Sequence, residues 1–302
     1  MLNQKSIYGM QRRIYKIMKI LVLGATGMAG HLITKYLIEK NYNVVAFSRR
    51  GVDFCENIIG DATNFSQLEN IIVDGKFNFV VNAIGILNND ADQNKSISIL
   101  INSYLPHFLS ELANKNNFKL IHISTDCVFS GVKGNYNETS IPDGIKFYDR
   151  TKALGEVIND TDITFRTSII GPDMSKNGIG LFNWFMKQSQ PIFGFANVKW
   201  TGVTTLVLAK AIEKIIAQDV SGLYHLVNNK KISKFHLLKI FDKHFYRGDT
   251  FSINKSNQPN IDKSLINSRS DFDFTVPDYN EMVLEMKEWI LEHKNLYKHY
   301  KI

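Results

Sequence analysis

Short apolar runs alternate with segments of helical periodicity along the first half of the chain. Residues 19–24, KILVLG, form a continuous apolar run of strand length. After ATGMAG comes HLITKYLIEKN, where Leu32, Ile33, Tyr36 and Leu37 recur at helical spacing. YNVVAFSRR predicts a second strand and NIIGD, residues 57–61, a third. FSQLENIIVDG predicts a helix, and FNFVVNAIG a strand ending in polar residues. Residues 96–113 read as helical, with a kink expected at Pro106. FKLIHIST is a further strand, KFYDRTKALGEVI a helix and DITFRTSII a strand again. Strand alternating with helix predicts an α/β fold with a parallel, doubly wound sheet.

Beyond about residue 168 the rhythm changes. LFNWFMKQSQPIFGF is aromatic-rich, VTTLVLAKAIEKII is a strongly amphipathic helix, GLYHLVNN a strand and KISKFHLLKIF a helix. Residues 247–280 are polar and weakly patterned, and EMVLEMKEWILEHKNL closes the chain as a helix. There is no internal repeat and no low-complexity tract.

Composition narrows the function classes. The 302 residues are 44% hydrophobic and 22% charged, an ordinary folded mixture. The formal charge of +7 is misleading, because residues 1–20 hold Lys5, Arg12, Arg13, Lys16 and Lys19 and no acid. Without them the remainder carries only about +2, which is not the footprint of a nucleic-acid binder. Cys55 and Cys127 are too far apart in sequence for a CxxC pair and too few for a disulfide scaffold. Two reduced cysteines fit a cytoplasmic protein. No apolar run approaches the roughly 18 residues that span a bilayer, and the first residues lack the apolar stretch of a secretory signal. Residues 1–17 are read as a basic extension ahead of a domain that starts at Met18.

Three motifs carry chemistry. Gly24-Ala25-Thr26-Gly27-Met28-Ala29-Gly30 stands between the first strand and the first helix. Gly24 permits a tight turn, Gly27 lets backbone approach a pyrophosphate, and Gly30 lets helix and strand pack closely. The helix start, with Thr26 and Met28, then offers N–H groups to phosphate oxygens. This predicts a Rossmann-type dinucleotide site. The second strand ends in Ser48, Arg49 and Arg50, with no acid before Asp53. Arginine there suits a ribose 2′-phosphate, so NADPH is expected, with NADH as the alternative. Asp61, after the third strand, is a candidate adenine contact or a turn residue. Finally, Tyr148 and Lys152 are four apart on a predicted helix, downstream of Ser124-Thr125 at a strand end. A nearby ammonium favours phenolate, so Lys152 is expected to lower the Tyr148 pKa. His31, His107 and His122 read as structural, and no His/Cys/Asp/Glu cluster has metal-ligand spacing, so no metal is expected.

GATGMAG, VVNAIG, ISTDCVF, YDRTKALGE and FRTSIIGP together resemble the extended short-chain dehydrogenase/reductase family, in its dTDP-4-dehydrorhamnose reductase branch. The likeness runs from about residue 18 to 172 and more loosely to about 241. It implies a catalytic set of Thr125, Tyr148 and Lys152, with Asn102 assisting a proton relay. Asn82, Ala83 and Gly85 would flank the cofactor, with Thr167 and Ser168 near the nicotinamide. Asp126, Cys127, Ile169, Trp184 and Trp200 would face the substrate. Ile169 stands where the family often has a tryptophan that stacks on the deoxysugar. Cys127 stands where the related 4,6-dehydratases carry a glutamate base, which argues against dehydratase chemistry.

The expected organisation is an NADP-binding domain over residues 18–167, joined by a returning helix near 200–220, and a smaller C-terminal domain, mainly substrate-binding, over 168–302. The expected activity is NADPH-dependent reduction of the 4-keto group of a nucleotide-activated 6-deoxyhexose, for cell-surface polysaccharide biosynthesis. Two alternatives accompany it. One is an epimerase-reductase resembling GDP-fucose synthase that uses Cys127, and the other is a non-catalytic NADP-binding regulatory subunit. The expected partner is a nucleotide sugar, with no nucleic acid and no membrane span; a homodimer is left open.

Overall fold

The computed structural model describes residues 18–302, and the basic extension 1–17 lies outside the described residues. In chain order the first part comprises β1 (Lys19–Leu23), α1 (Met28–Glu39), β2 (Asn43–Ser48), β3 (Glu56–Ile59), α2 (Phe65–Gly75) and β4 (Phe79–Asn82). Then come α3 (Asn88–Gln93), α4 (Lys95–Ser98), a π-helical segment (Ile99–Tyr104), α5 (Leu105–Asn116), β5 (Lys119–Thr125), α6 (Phe147–Leu154) and β6 (Ile163–Thr167). The second part holds β7 (Ile169–Ile170), α7 (Leu181–Met186), β8 (Ile192–Phe195), β9 (Val198–Trp200), β10 (Val203–Thr204), α8 (Thr205–Ile216) and β11 (Gly222–His225). It ends with β12 (Ile232–Ser233), α9 (Lys234–His244), β13 (Ile253–Ser256), β14 (Ile261–Asp262) and α10 (Tyr279–Glu292).

Seven strands form one parallel sheet in the order β11-β6-β5-β4-β1-β2-β3. Successive side chains on β1 feed opposite faces. Ile20 and Val22 join a core with α1 and α8, whereas Leu21 and Leu23 join one with Leu68, Ile72, Leu105 and Leu109. Helices cover both faces, which is why these strands read as unbroken apolar runs. Chain order reverses between β1 and β4, and ligands of such sheets bind at that reversal, outside the strand C-termini.

The helical backbone runs unbroken from α4 through the π-helical segment into α5. Pro106 stands in the first turn of α5. The departure from α geometry comes just before it, in the π-helical segment. The weakly patterned stretch 247–280 also contains two short strands, β13 on β8 and β14 on β9. Their partners, rather than their own alternation, define them.

The second part of the chain divides. α8 packs on α1, and Tyr36 donates from α1 to Glu213 at 2.5 Å. β11 extends the main sheet beside β6. The short strands, α7 and α9 make a separate layer around Phe182, Phe185 and Phe241.

Candidate active site

The turn after β1 is built by glycine. Gly24 has φ of 83°, a left-handed conformation that glycine adopts without strain. A Cβ at Gly30 would lie 2.1 Å from the Gly24 carbonyl oxygen, so α1 can pack on the strand end only without a side chain there. Gly27 differs: a Cβ there would meet only the Gly24 oxygen, at 3.4 Å, which is ordinary contact. The fold does not demand glycine at 27, but close approach of a ligand to the backbone would. Gly27 also caps α1 without a side-chain hydrogen bond, leaving the first helical N–H groups uncapped.

A cleft of about 430 Å³ opens at this point. Of the residues expected around a cofactor, Gly24, Thr26, Gly27, Ser48, Arg49, Asp61, Ala83 and Gly85 line it. A second depression, of about 390 Å³, is bounded by Thr26, Arg49 and Arg50. The Ser48 hydroxyl donates to the Arg50 carbonyl and so shapes the arginine turn. Asp61 accepts from the Thr63 N–H at 2.9 Å and hydroxyl at 2.7 Å, which hold its carboxyl below the usual range. It is a turn residue and a cleft residue at once. Asn82 sits behind the wall, fully buried, accepting from the Ile84 N–H at 3.2 Å, with its Nδ2 3.2 Å from His122 Nδ1. Met28 Sδ lies 3.9 Å from Asn183 Nδ2, against the 171–183 segment.

At the end of β5, Thr125 Oγ1 accepts from the Cys127 N–H at 3.1 Å and donates to Asp126 Oδ1 at 3.3 Å. It also acts on the Tyr148 phenol from α6, opposing the rise of its pKa. The expected effect of Lys152 on Tyr148 is not found. Burial pushes the phenol pKa up, reinforced by Cys127, Asp126 and Asp149. Lys152 Nζ instead donates to the Ile123 carbonyl at 2.9 Å and lies 3.4 Å from His122 Nε2. Burial lowers the Lys152 pKa to about 8. The Cys127 thiol is pushed up to about 12, by burial first and then by Asp126.

Two lysines absent from the sequence reading complete this polar group. Burial lowers the pKa of Lys234, at the start of α9, while Asp126 and Cys127 raise it. Lys263 Nζ lies 4.0 Å from Asp149 Oδ2, and both lysines oppose the burial-driven rise of the Asp126 pKa. Nothing in their local sequence marks them, because the chain fold alone brings them to Asp126.

The remaining motif residues brace this end of the sheet. Glu156 accepts from Ser124 Oγ at 2.7 Å and from Arg166 Nε at 2.8 Å, and Arg166 Nη1 lies 3.0 Å from His225 Nε2. Asn102 uses its whole amide as a clamp: Oδ1 accepts from the Ile86 N–H at 2.8 Å, and Nδ2 donates to the Ile86 carbonyl at 2.9 Å and Thr151 Oγ1 at 3.2 Å. Thr167 Oγ1 donates to the Leu226 carbonyl at 2.8 Å. Ile169 pairs with Val203 and packs on the core. Trp184 stands 42% exposed on α7. Trp200, expected to face substrate, is only 2% exposed and donates to Ser168 Oγ at 2.8 Å. Its indole is a buried wall with Lys234 Nζ 5.4 Å from the ring centre, because apolar area of that size is most stable in the core. Among the described residues, no group of three or more His, Cys, Asp or Glu could hold a metal, and no helix is long and apolar enough to cross a membrane.

Comparison with known proteins agrees with this geometry. The chain is 29% identical over 240 residues to dTDP-4-dehydrorhamnose reductase of Aggregatibacter actinomycetemcomitans, covering 74% of this chain and 79% of that protein. It is 24% identical to methionine adenosyltransferase 2 subunit beta of Xenopus laevis, covering 72% and 70%. Its fold matches the crystal structure of dTDP-4-dehydrorhamnose reductase from Bacillus anthracis in complex with NADP, with a TM-score of 0.75, 19% identity, and coverage of 89% and 98%. The family described as RmlD substrate binding domain matches residues 18–260, and this chain belongs to that family.

Proposed function

We propose that the protein is an NADPH-dependent oxidoreductase that reduces the 4-keto group of a nucleotide-activated 6-deoxyhexose for cell-surface polysaccharide assembly. The observation that carries this reading is the meeting of Thr125, at the C-terminal end of β5, with the Tyr148 side chain from α6, which also carries Lys152. The sheet reversal and its glycine-lined cleft lie at the same strand ends. The curated relative at 29% identity is a dTDP-4-dehydrorhamnose reductase, and the Bacillus structure holds NADP.

The residues present fit that cofactor. Thr26, Gly27 and Met28 would hold the pyrophosphate, Arg49 and Arg50 the 2′-phosphate, and Asp61 the adenosine side. Ala83 and Gly85 would wall the site. NADPH, when bound, supplies the hydride. Tyr148 donates the proton to the carbonyl oxygen, and its raised pKa keeps the phenol fully protonated at neutral pH, as a proton donor requires. Thr125 donates a hydrogen bond to the same oxygen and fixes its direction. Lys152, on the same helix as Tyr148 and still largely cationic at neutral pH, would hold the cofactor ribose. Asn102 holds α6 against the cleft wall through Thr151 and Ile86. Lys234 and Lys263 offer positive charge to the diphosphate of the substrate, beside Asp126.

In this reading residues 18–167, with α8 and β11, form the cofactor domain, and most of the remainder faces substrate. A reducing cytoplasm suits the two free cysteines. A protonated Cys127 thiol disfavours an epimerase base. The likeness to a subunit named methionine adenosyltransferase 2 beta keeps a regulatory role as the second reading. NADPH oxidation across a panel of dTDP- and GDP-linked 4-keto-6-deoxysugars decides between them. Turnover of one panel member is expected. NADPH binding without turnover of any would assign the regulatory role.

A further inference from the structure

Three buried side chains link the far end of the chain to the glycine loop, and chemistry sets the direction of every bond in the link. Trp289 Nε1–H can only donate, and it lies 3.0 Å from the Tyr297 hydroxyl. The Gly27 carbonyl can only accept, and His31 Nδ1 lies 2.9 Å from it, so Nδ1 carries the proton. Burial favours the neutral ring, so His31 Nε2 presents a lone pair, and the Tyr297 O–H donates to it across 2.8 Å. The line therefore runs from Trp289 through Tyr297 and His31 to Gly27.

Its end point is the peptide that matters for an anion. The His31 backbone N–H also reaches the Gly27 oxygen, at 3.0 Å, so that oxygen accepts twice. The Gly27–Met28 peptide is planar and trans, so holding its C=O fixes the Met28 N–H in the opposite direction. Hydrogen bonds at the oxygen also polarise that N–H as a donor. A second line leaves the same C-terminal turn. The Tyr300 hydroxyl accepts from the Asp173 N–H at 2.9 Å and donates to Asn183 Oδ1. Asn183 in turn donates to the Gly171 carbonyl at 3.0 Å and the Ile179 carbonyl at 2.7 Å, beside Met28.

We propose that the C-terminal turn is a cofactor-positioning element: through Tyr297 and His31 it holds the Gly27–Met28 peptide with its N–H aimed at the cofactor pyrophosphate. This rests on the reading of Gly24–Gly30 as the NADPH loop. Tyr297, His31 and Trp289 are positioning residues that act through Gly27.

Tyr297→Phe keeps the ring and deletes the hydroxyl. NADPH and 2′-AMP, which lacks the pyrophosphate, are titrated by calorimetry into wild type and variant. The NADPH Kd is expected to rise roughly ten-fold, the scale of one buried hydrogen bond, with the 2′-AMP Kd unchanged. The KM for NADPH should rise in step, with kcat at saturation unchanged. Should Tyr297→Phe not fold, Trp289→Phe removes the donor at the start of the line, along with part of the indole packing, and leaves the Tyr297–His31 bond in place; a smaller loss confined to NADPH is expected. An unchanged NADPH Kd, or equal weakening of both nucleotides, overturns the positioning role alone. Wild-type protein that binds neither nucleotide overturns the functional reading, and the positioning role with it.

Discussion

Gly155 packs backbone to backbone against Asn102: a Cβ at 155 would lie 1.8 Å from the Asn102 carbonyl oxygen. Asn102 clamps Ile86 and Thr151, so this contact sets the distance between α6 and the cleft wall. Neither backbone can yield as a flexible side chain would. Gly155→Ala is expected to destabilise by about 1–3 kcal/mol. It should also lower kcat by up to about 10²-fold, as displaced catalytic groups do. Thermal unfolding and steady-state kinetics check both, and a variant with wild-type kcat would show that α6 is positioned otherwise.

Arg49 lines both the cleft and the depression it shares with Thr26 and Arg50. Arg49→Ala removes charge-assisted hydrogen bonds to a 2′-phosphate and should raise the NADPH Kd about 10–100-fold. The NADH Kd should change by less than about 3-fold, since that cofactor has a free 2′-hydroxyl. Equal losses for the two would remove the arginine turn from cofactor choice.

Tyr148→Phe keeps the buried ring and deletes the acid. Turnover should fall about 10²–10⁴-fold, with NADPH affinity nearly unchanged. Thr125→Val removes one hydrogen bond and no proton source, so its loss should be smaller. Near wild-type turnover in Tyr148→Phe would mean that the proton comes from another group.

Lys152 is only 4% exposed, and its pKa drops from 10.5 to about 8 on folding. Between those values the unfolded chain binds the extra proton, so Lys152 makes stability rise with pH across that window. Below about pH 8 both states are protonated, and the buried charge is fully destabilising. Lys152→Met should therefore be inactive yet more stable than wild type at pH 7, on the order of 3 kcal/mol. The difference should shrink towards zero by about pH 10.5. Urea unfolding at several pH values tests this, and a difference that does not vary with pH would contradict it.

Glu156 and Arg166 form a buried pair at 2.5 Å, with Ser124 on the carboxylate and His225 on the guanidinium. Glu156→Ala leaves that guanidinium unpaired and should cost about 3–5 kcal/mol. The double variant Glu156→Met with Arg166→Met should cost less than Glu156→Ala alone, because no charge is then stranded. Chemical denaturation of both resolves the order.

The sequence by itself determined whatever depends on neighbours along the chain. β1, β4 and β5 are legible as continuous apolar runs, because strands covered on both faces have no polar side. The glycine loop is legible because turn, close approach and helix packing are needed within seven consecutive residues, and the arginines follow at the next strand end. Tertiary structure decided whatever is summed through space. The helix around Pro106 passes through a π-helical segment, Ile99–Tyr104, whose extent the residue pattern did not mark. Trp200 is wall rather than substrate platform, because Ser168 and the core claim its indole. Lys234 and Lys263 reach Asp126 from segments distant in sequence. Most tellingly, the four-residue spacing of Tyr148 and Lys152 predicted a lowered phenol pKa, and the fold raised it. Spacing places two groups on one helix, but protonation follows desolvation and the nearest charges: burial first for both, then Cys127 and Asp126 for Tyr148 and Glu156 for Lys152.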